Sequence, residues 1–444
     1  MRKIALISEH ASPLALIGGT DSGGQNVYVA HLAKQLARLD YMVDIFTRRD
    51  AASQATIVEW LPNIRVIHVP AGPAEFIAKE MMLPYMEEFG RFMLRFARRQ
   101  RIRYDIIHAN FFMSGMVAQQ IKKITGTPFV MTFHALGRVR RLCQGQADAF
   151  PDVRFAIEEH LMHEADRIIA ECPQDKADMQ QLYGADASRI DVVPCGFDPQ
   201  EFWPVTDGAR RQLGLCIPCD RVDEDEFVIL QLGRMVPRKG IDNVIRALAI
   251  LEAKHRLHAR LLVVGGNAPE PDPGSTPEIG HLMTLADSLG IRRSVTFTGQ
   301  RPRSQLRYYY SAANVFVTTP WYEPFGITPV EAMACGMPVV GAAVGGIKST
   351  VVDGQTGYLV PPNNPEALAQ KLALLHDSPR TAQRMGWAGM RRAHQSFTWR
   401  SVAAQIAAVY EAAINAASQE SEVIYDDQAL SPSMLYPPQS SVAG

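Results

Sequence analysis

Two glutamates, Glu323 and Glu331, stand eight positions apart around the start of an apolar segment. The order Tyr322-Glu323-Pro324 predicts a loop, because the residue before a proline is pushed away from helical geometry. Thr328 and Pro329 then offer an N-cap and a first-turn proline, so a helix is predicted to begin at about Pro329. The two carboxylates are therefore expected at two depths of one cleft. The alternative is a capped core helix whose glutamates are merely solvated.

The loop before this helix is a predicted phosphate site. The backbone N–H groups of Gly326, Ile327 and Thr328 have no helical partners in this arrangement. The positive end of the helix dipole stands behind them, which favours an anion at this point.

A basic pair follows an apolar strand in the middle of the chain. Residues 227–232 form an apolar run of the buried-strand type, and Arg234 and Lys239 come soon after it. Ligands of open α/β sheets bind at the carboxyl ends of the strands. A guanidinium fork and an ammonium point charge together suit a diphosphate leaving group.

The G-R-x4-K-G run at residues 233–240, together with Glu323 and Glu331, resembles the family-4 retaining glycosyltransferases. The resemblance spans about residues 3 to 415. It implies an α/β GT-B fold: two facing Rossmann-like domains with parallel sheets and a C-terminal helix that crosses back to the first domain. The sequence is most similar to the sucrose-phosphate and mycothiol-pathway inositol-phosphate branches of the family.

The resemblance implies roles for individual residues. Arg234 and Lys239 would meet the charge on the donor diphosphate, Glu323 would hold sugar hydroxyls, and His134 would bond the transferred sugar. The implied catalytic residues are His134, Arg234, Lys239 and Glu323. The implied donor-binding residues are Gly24, Arg301, Phe325, Gly326, Ile327, Thr328 and Glu331, with Glu331 on the ribose hydroxyls. The implied acceptor-binding residues are Gly23, Gln25, Asn26, Lys79, Asn110, Arg140 and Arg154.

A glycine-rich turn at residues 18–26 follows the first predicted strand, residues 3–8, and runs into a helix. Its glycine spacing is not G-x-G-x-x-G, and no acid is placed at a strand end to bind a dinucleotide ribose. A nicotinamide cofactor is accordingly the weaker interpretation. The turn could also simply close on its own helix.

Phe111 and Ala135 depart from one branch of the family. The inositol-phosphate branch resembled here carries hydroxyl side chains at these two positions, which puts inositol phosphate in doubt. The sequence His134-Ala135-Leu136-Gly137-Arg138 and Arg140 favour the sucrose-phosphate branch, whose acceptor is a phosphorylated ketose.

The composition excludes several classes of protein. The chain has 444 residues, of which 47% are hydrophobic and 20% charged, with a formal net charge of −1, so bulk charge supports neither a nucleic-acid nor an anionic-membrane partner. A long helical stretch is predicted between Lys79 and Arg103, and the arginines of residues 95–103 are interpreted as its solvated end, since no aromatic platform accompanies them. No apolar run reaches membrane-spanning length, so we expect no integral membrane segment and a cytoplasmic location. The Cys216/Cys219 pair is a weak candidate for metal or redox chemistry.

Four segments are predicted. Residues 1–196 form the acceptor-side domain, residues 197–396 the nucleotide-sugar domain, residues 397–417 the crossing helix and residues 418–444 a mobile tail. Strands of the second domain are expected at 227–232, 259–264, 294–298, 314–319 and 338–342, and Gly354 to Gly357 are expected to form a turn.

The predicted function is transfer of a hexose from a nucleotide-diphosphate sugar to a small, phosphorylated sugar acceptor. A UDP-sugar is the first expected donor and GDP-mannose the second; a free sugar remains an alternative acceptor. The basic groups would replace a divalent ion, so no cofactor and no essential metal are expected. A nucleotide-sugar epimerase and a non-catalytic nucleotide-sugar-binding protein are the alternatives. The sequence leaves the oligomeric state open.

Overall fold

The computed structural model of the protein describes residues 1–15, 23–206, 208 and 226–429. Within these ranges the chain forms two α/β domains, each built on one sheet. Three predicted features lie wholly or partly outside the described ranges: the first glycines of the glycine-rich turn, the Cys216/Cys219 pair and the tail from residue 430.

The first domain has an eight-stranded sheet in the order β3-β4-β2-β1-β5-β6-β7-β8, in which β3 alone is antiparallel to its neighbour. The strands are β1 (Lys3–Ile7), β2 (Met42–Arg48), β3 (Ile57–Leu61), β4 (Ile64–Val69), β5 (Ile106–Asn110), β6 (Phe129–Thr132), β7 (Arg167–Ala170) and β8 (Ile190–Val192). The helices are α1 (Gly24–Arg38), α2 (Met86–Gln100), α3 (Phe112–Thr125), α4 (Gly137–Gln144), α5 (Val153–Glu164) and α6 (Pro173–Tyr183). The central strands are buried on both faces, which explains their continuous apolar runs.

Two parts of this domain differ from the prediction. β3 was not predicted, because it is an edge strand whose residues are half-buried or exposed and so carry a weak apolar signal. The single helical stretch expected from Lys79 to Arg103 is instead two 3-10 turns, Lys79–Met81 and Leu83–Tyr85, followed by α2. Pro84 explains the break, because it lacks an N–H group and restricts the residue before it.

The second domain has a six-stranded parallel sheet in the order β11-β10-β9-β12-β13-β14. The strands are β9 (Phe227–Leu232), β10 (Ala259–Val264), β11 (Val295–Gly299), β12 (Val315–Thr318), β13 (Val339–Ala342) and β14 (Gly357–Val360). The helices are α7 (Ile241–Ile250), α8 (Pro277–Ser288), α9 (Arg303–Ala312), α10 (Ile327–Ala334), α11 (Ile347–Thr350), α12 (Pro365–Asp377) and α13 (Pro379–Ser396).

β14 is a strand that the sequence did not reveal. Gly357 was expected to belong to a turn, yet it begins the strand. A Cβ atom on this residue would lie 1.9 Å from the carbonyl oxygen of Val339 on the neighbouring strand. Glycine is therefore required here by close backbone approach rather than by a turn.

The last helix, α14 (Trp399–Ala429), returns to the first domain and packs on α1. The Tyr410 hydroxyl lies 2.7 Å from Nδ1 of His108, and Arg2 binds Glu411 at 2.7 Å. The predicted crossing helix is confirmed, but it is longer than expected. It extends past Ala417 into the segment predicted to be mobile.

Trp399, at the start of α14, is expected to be a main stabilising contact between the domains. Its ring is 1% exposed, stacks on His31 with 5.5 Å between ring centroids and meets the edge of Tyr28. Trp399→Ala should lower the free energy of unfolding by about 3 to 5 kcal/mol, because it leaves a cavity where a large ring is packed. Trp387→Ala is the control, since Trp387 is 60% exposed. Equal unfolding midpoints in urea for the two variants would contradict the expectation.

Among the described residues, no helix is both long enough and apolar enough to cross a bilayer.

Candidate active site

A cavity of about 640 Å³ lies between the two domains. One wall consists of the start of α1 and the loops after β5, β6 and β7. The other consists of the loops after β9, β10, β11 and β12. The domains approach closely at this cleft: a Cβ atom on Gly24 would lie 3.7 Å from the side chain of Ile327. The carboxyl ends of both parallel sheets thus face one another, which is where α/β sheets bind ligands.

The basic pair leaves the end of β9 as predicted. Arg234 extends toward the opposite domain, where a Cβ atom on Gly23 would lie 3.6 Å from its Nε atom. Lys239 ends the 3-10 turn Pro237–Lys239, and its ammonium group binds the carboxylate of Glu323 directly. Both partners of that ion pair are 16% exposed. The two residues predicted to bind the diphosphate therefore lie on one wall, where Lys239 is paired with Glu323.

The ion pair has perturbed pKa values. Burial lowers the pKa of Lys239 to about 8; Glu323 opposes that change, whereas Arg238 and Arg234 add to it. Burial by itself would raise the pKa of Glu323, but Lys239, Arg238 and Arg234 together outweigh burial and hold this pKa below its ordinary value. Glu323 is thus a carboxylate surrounded by positive charge.

Donor binding should weaken as the pH rises through about 8, because Lys239 loses its proton there. We expect kcat/KM for the donor to fall roughly tenfold per pH unit above that value. Lys239→Arg should move this decline to higher pH, because a guanidinium stays charged, even where its absolute rate is lower. A wild-type profile that stays level to about pH 9.5, on protein that remains folded, would contradict the assignment of Lys239.

The predicted phosphate-binding loop ends at α10, which begins at Ile327 rather than at Pro329. The N-cap is Gly326, with φ 92°, and not Thr328. A left-handed residue at this point favours glycine, and Pro329 is tolerated in the first turn because its missing N–H would have no helical partner. The first-turn N–H groups belong to residues that line the cleft, as an anion site requires.

Gly345 and Gly346 support this loop from behind. The N–H of Gly346 donates to the carbonyl oxygen of Glu323 at 3.0 Å, and a Cβ atom on Gly345 would lie 1.9 Å from the same oxygen. The two glycines allow the backbone to approach Glu323 closely. Their role is to shape the loop.

Glu331 lies deeper in the same wall and is 1% exposed. Arg303 Nη2 lies 2.7 Å from its Oε1 atom, an ion pair without hydrogen-bond geometry, and the Tyr310 hydroxyl donates to Oε2 at 3.1 Å. Burial raises the pKa of Glu331, and Arg303 counteracts part of that rise. Arg303 and Tyr310 were not predicted, since nothing in the sequence of α9 marks them as partners of a residue on another helix.

His134 lies on the opposite wall, two residues beyond the end of β6. Its Nδ1 atom is 2.9 Å from Oε1 of Glu171, and its Nε2 atom is 3.0 Å from Oδ1 of Asn110. Asn110 does not line the cleft. It is fully buried behind His134, so the structure places it as a support rather than as the predicted acceptor ligand.

The start of α1 lines the cleft but uses its side chains to hold the turn. Oδ1 of Asn26 accepts the N–H of Gly23 at 2.9 Å, and Asn26 Nδ2 donates to the carbonyl of Ser12 at 2.9 Å. Gln25 Nε2 donates to Ser8 Oγ at 3.1 Å and to the carbonyl of Asn110 at 3.2 Å. The segment therefore presents a fixed backbone to the cleft.

Two of the three basic residues predicted to bind the acceptor line the cleft, and the third does not. Lys79 and Arg140 line the cleft; Lys79 lies 3.5 Å from Glu80, and Arg140 Nη2 lies 2.9 Å from Asp148. Arg154 is not in the cleft wall. It is fully buried, paired with Glu158 and enclosed by three phenylalanine rings whose centroids lie 4.6 to 4.9 Å from its guanidinium carbon. Its prediction as an acceptor ligand is corrected, because the charge is compensated inside the domain.

The remaining predicted residues, Arg301 and Phe325, also line the cleft. Arg301 Nε donates to the Tyr309 hydroxyl at 2.9 Å. The wall further contains residues that the sequence analysis did not single out, namely His10, Gln144, Glu171, Arg238, Trp321 and Tyr322. Gln144 Nε2 donates to the Tyr322 hydroxyl at 3.0 Å and so joins the two domains across the cleft.

One group of potential metal ligands occurs in the described part of the chain. Single ligand atoms of His31, Asp198 and Glu201 lie within 4.8 Å of one another, outside the residues that line the cleft. His31 directs Nδ1 toward Asp198 at 3.8 Å and Nε2 toward Glu201 at 3.6 Å, and Glu201 also binds Arg303. Both distances from the ring nitrogens to the carboxylates are longer than a hydrogen bond.

Comparisons with known proteins agree with this geometry. The family described as Glycosyltransferase Family 4 matches residues 22–201, and that described as Glycosyl transferases group 1 matches residues 220–392. The D-inositol 3-phosphate glycosyltransferase of Corynebacterium efficiens is 36% identical over 420 residues, which cover 93% of this chain and 96% of that protein. The chain belongs to the family-4 glycosyltransferases.

This family-4 glycosyltransferase is also similar to a further relative and to two solved structures. The D-inositol 3-phosphate glycosyltransferase of Kribbella flavida is 36% identical, covering 95% of this chain and 98% of the relative. The solved structure of sucrose-phosphate synthase from Thermosynechococcus elongatus has a TM-score of 0.85 at 33% identity, covering 94% of this chain and all of that one. An Anabaena protein in complex with UDP and glucose shares the fold, with a TM-score of 0.70 at 21% identity and coverage of 93% and 100%. The predicted GT-B architecture is confirmed.

Proposed function

We propose that this glycosyltransferase moves a hexose from a nucleotide-diphosphate sugar to a small phosphorylated sugar, with retention of the anomeric configuration. The observation that supports this proposal is that each wall of the cleft carries basic groups. Arg234, Lys239 and the N-terminus of α10 line the wall formed by the second domain, while Lys79 and Arg140 line the wall formed by the first. One basic group suits the donor diphosphate and the other suits an acceptor phosphate.

The donor is assigned to the second domain. As the bond between the sugar and the β-phosphate breaks, negative charge grows on the phosphate oxygen, and the basic pair and the first-turn amides of α10 are positioned to meet it. One such donor group is typically worth about 3 kcal/mol in the transition state. Glu331 is proposed to bind the ribose hydroxyls, and Glu323 the hydroxyls of the transferred sugar. We propose UDP as the first nucleotide to test and GDP as the second, with no essential divalent ion.

Retention is proposed to proceed by attack on the face that the phosphate leaves. The acceptor hydroxyl forms the new bond to the anomeric carbon, and the departing phosphate oxygen takes the proton of that hydroxyl. No separate base is required in this step. Glu323 would steer the anomeric carbon between the two phosphates.

The acceptor is assigned to the first domain, next to His134. Phe111 and Ala135 make this wall apolar where the inositol-phosphate branch is expected to carry hydroxyls. That difference favours a phosphorylated ketose, whereas the names of the relatives in Corynebacterium and Kribbella favour an inositol phosphate. Both acceptors are therefore included in the test.

Release of nucleoside diphosphate from UDP-, GDP- and ADP-sugars should be measured against a ketose phosphate, an inositol phosphate and the same compounds without phosphate. We expect rapid release only with a phosphorylated acceptor, and a product whose anomeric proton coupling matches that of the donor.

Lys79→Ala should raise KM for the phosphorylated acceptor and leave KM for the donor unchanged. A new free nucleotide-sugar formed without any acceptor would instead show an epimerase.

A further inference from the structure

Glu171 is a buried carboxylate in the wall of the cleft that the proposed reaction does not use. It follows β7, is 4% exposed and borders the cavity beside His134. Its Oε1 atom lies 2.9 Å from Nδ1 of His134 and accepts a hydrogen bond from Sγ of Cys195 at 3.1 Å. A carboxylate withdrawn from water needs such partners, and here the nearest polar ring belongs to a candidate catalytic residue.

His134 has an unusual backbone for a residue with a side chain. Its φ angle is 58°, in the left-handed region that non-glycine residues seldom adopt. Such a conformation persists when the surroundings fix it, and it is enriched at functional sites. The ring edge also meets Tyr28, with 4.8 Å between the ring centroids.

Both nitrogens of the His134 ring face oxygen acceptors. A carboxylate can only accept, so Nδ1 must carry the hydrogen that points to Glu171. On the other side, Asn110 uses its Nδ2 atom to donate to the carbonyl of Ile7 at 3.2 Å, which turns its Oδ1 atom toward Nε2 of His134. Buried oxygen atoms thus flank the ring at both nitrogens, and Glu171 fixes the hydrogen on Nδ1.

We propose that Glu171 is a positioning residue that fixes the His134 imidazole in the wall of the cleft where the hexose is bound. The inference rests on the proposed function, because it assigns His134 to the transferred sugar. Asn110 holds Nε2 from the buried side and Glu171 holds Nδ1, so the ring cannot turn.

Asp175 offers a matched control one helical turn away on α6. Its Oδ2 atom accepts the backbone N–H of Glu171 at 3.0 Å. Burial and the charge of Glu171 raise the pKa of Asp175 to about 8. Asp175→Asn therefore keeps an acceptor oxygen in place and removes little charge near neutral pH, whereas Glu171→Gln removes the charge that faces His134.

The test compares the full-length protein with Glu171→Gln, Glu171→Asp and Asp175→Asn. Long-range proton–nitrogen NMR of the ligand-free proteins, with the His134 signals identified by their loss in His134→Asn, should show changed ring shifts in Glu171→Gln and unchanged ones in Asp175→Asn. In steady-state transfer, Glu171→Gln should lower kcat roughly tenfold or more, with both KM values within about twofold. Glu171→Asp, which keeps the charge, should recover part of kcat.

Wild-type ring shifts and kcat in Glu171→Gln would overturn the inference. An equal loss of kcat in Asp175→Asn would overturn it too, because the effect would then be one of packing around α6. If the wild-type protein transfers no sugar from any donor, the proposed function fails, while the NMR comparison still decides whether Glu171 controls the His134 ring.

Discussion

Lys239→Ala is expected to lower kcat/KM at least about a hundredfold, because it removes a cation from the point where the leaving phosphate gains charge. The protein should stay folded. Arg234 and Arg238 remain beside Glu323, since both contribute to its lowered pKa, so that carboxylate is not left without compensation. Steady-state transfer assays with the donor varied at saturating acceptor provide the measurement.

A matched control is Lys254→Ala, since Lys254 is an exposed lysine in the same domain. It should keep wild-type kinetics. Lys239→Arg should retain more activity than Lys239→Ala but less than wild type, because the guanidinium keeps the charge and changes the geometry. Near-normal transfer by Lys239→Ala would remove Lys239 from the mechanism.

The buried core strands were predictable because a parallel sheet covered on both faces requires continuous apolar runs. β9 and β10 were predicted at their observed bounds, Phe227–Leu232 and Ala259–Val264. The edge strands β3 and β14 were not predicted. β3 is partly exposed, and β14 begins at a glycine whose role is set by contact with β13, which local sequence does not encode.

The position of the site was predictable for a related reason. Polar residues that directly follow buried strands must gather at one edge of the sheet, and this placed Arg234, Lys239 and His134 in the cleft. Arg154 shows the limit of that reasoning. The same residue type that binds phosphate can be neutralised inside a domain by a carboxylate one helical turn away, and only packing shows which occurs.

Partners that come from distant segments could not be predicted. Glu171 meets His134 because β7 lies beside β6, and Arg303 meets Glu331 because α9 and α10 pack on the same domain. No spacing of residues in the sequence predicts either contact. The ion pair between Lys239 and Glu323 is of the same kind: both residues were predicted for the site, but their direct contact was not.

The ion pair between Lys239 and Glu323 should affect how the donor binds. Glu323 contacts the ammonium group that the diphosphate is proposed to bind. We expect the phosphate oxygens of a donor to replace the carboxylate at Lys239, which would release Glu323 to accept hydrogen bonds from the sugar hydroxyls. The diphosphate and the sugar of the donor would therefore be bound together. A nucleoside diphosphate alone would gain only the contact with Lys239, and a free sugar alone only the contacts with Glu323.

Glu323→Gln tests this exchange and should lower kcat roughly a hundredfold, because the amide keeps the shape but not the charge that holds the sugar. Glu323 raises the pKa of Lys239, so its loss should also move the alkaline decline of kcat/KM for the donor below about pH 8. The double variant Lys239→Ala/Glu323→Gln should lose less than the product of the two single losses, since residues in direct contact are not additive. Strictly multiplicative losses and an unmoved pH profile would show that the two residues act independently, and the exchange would be wrong.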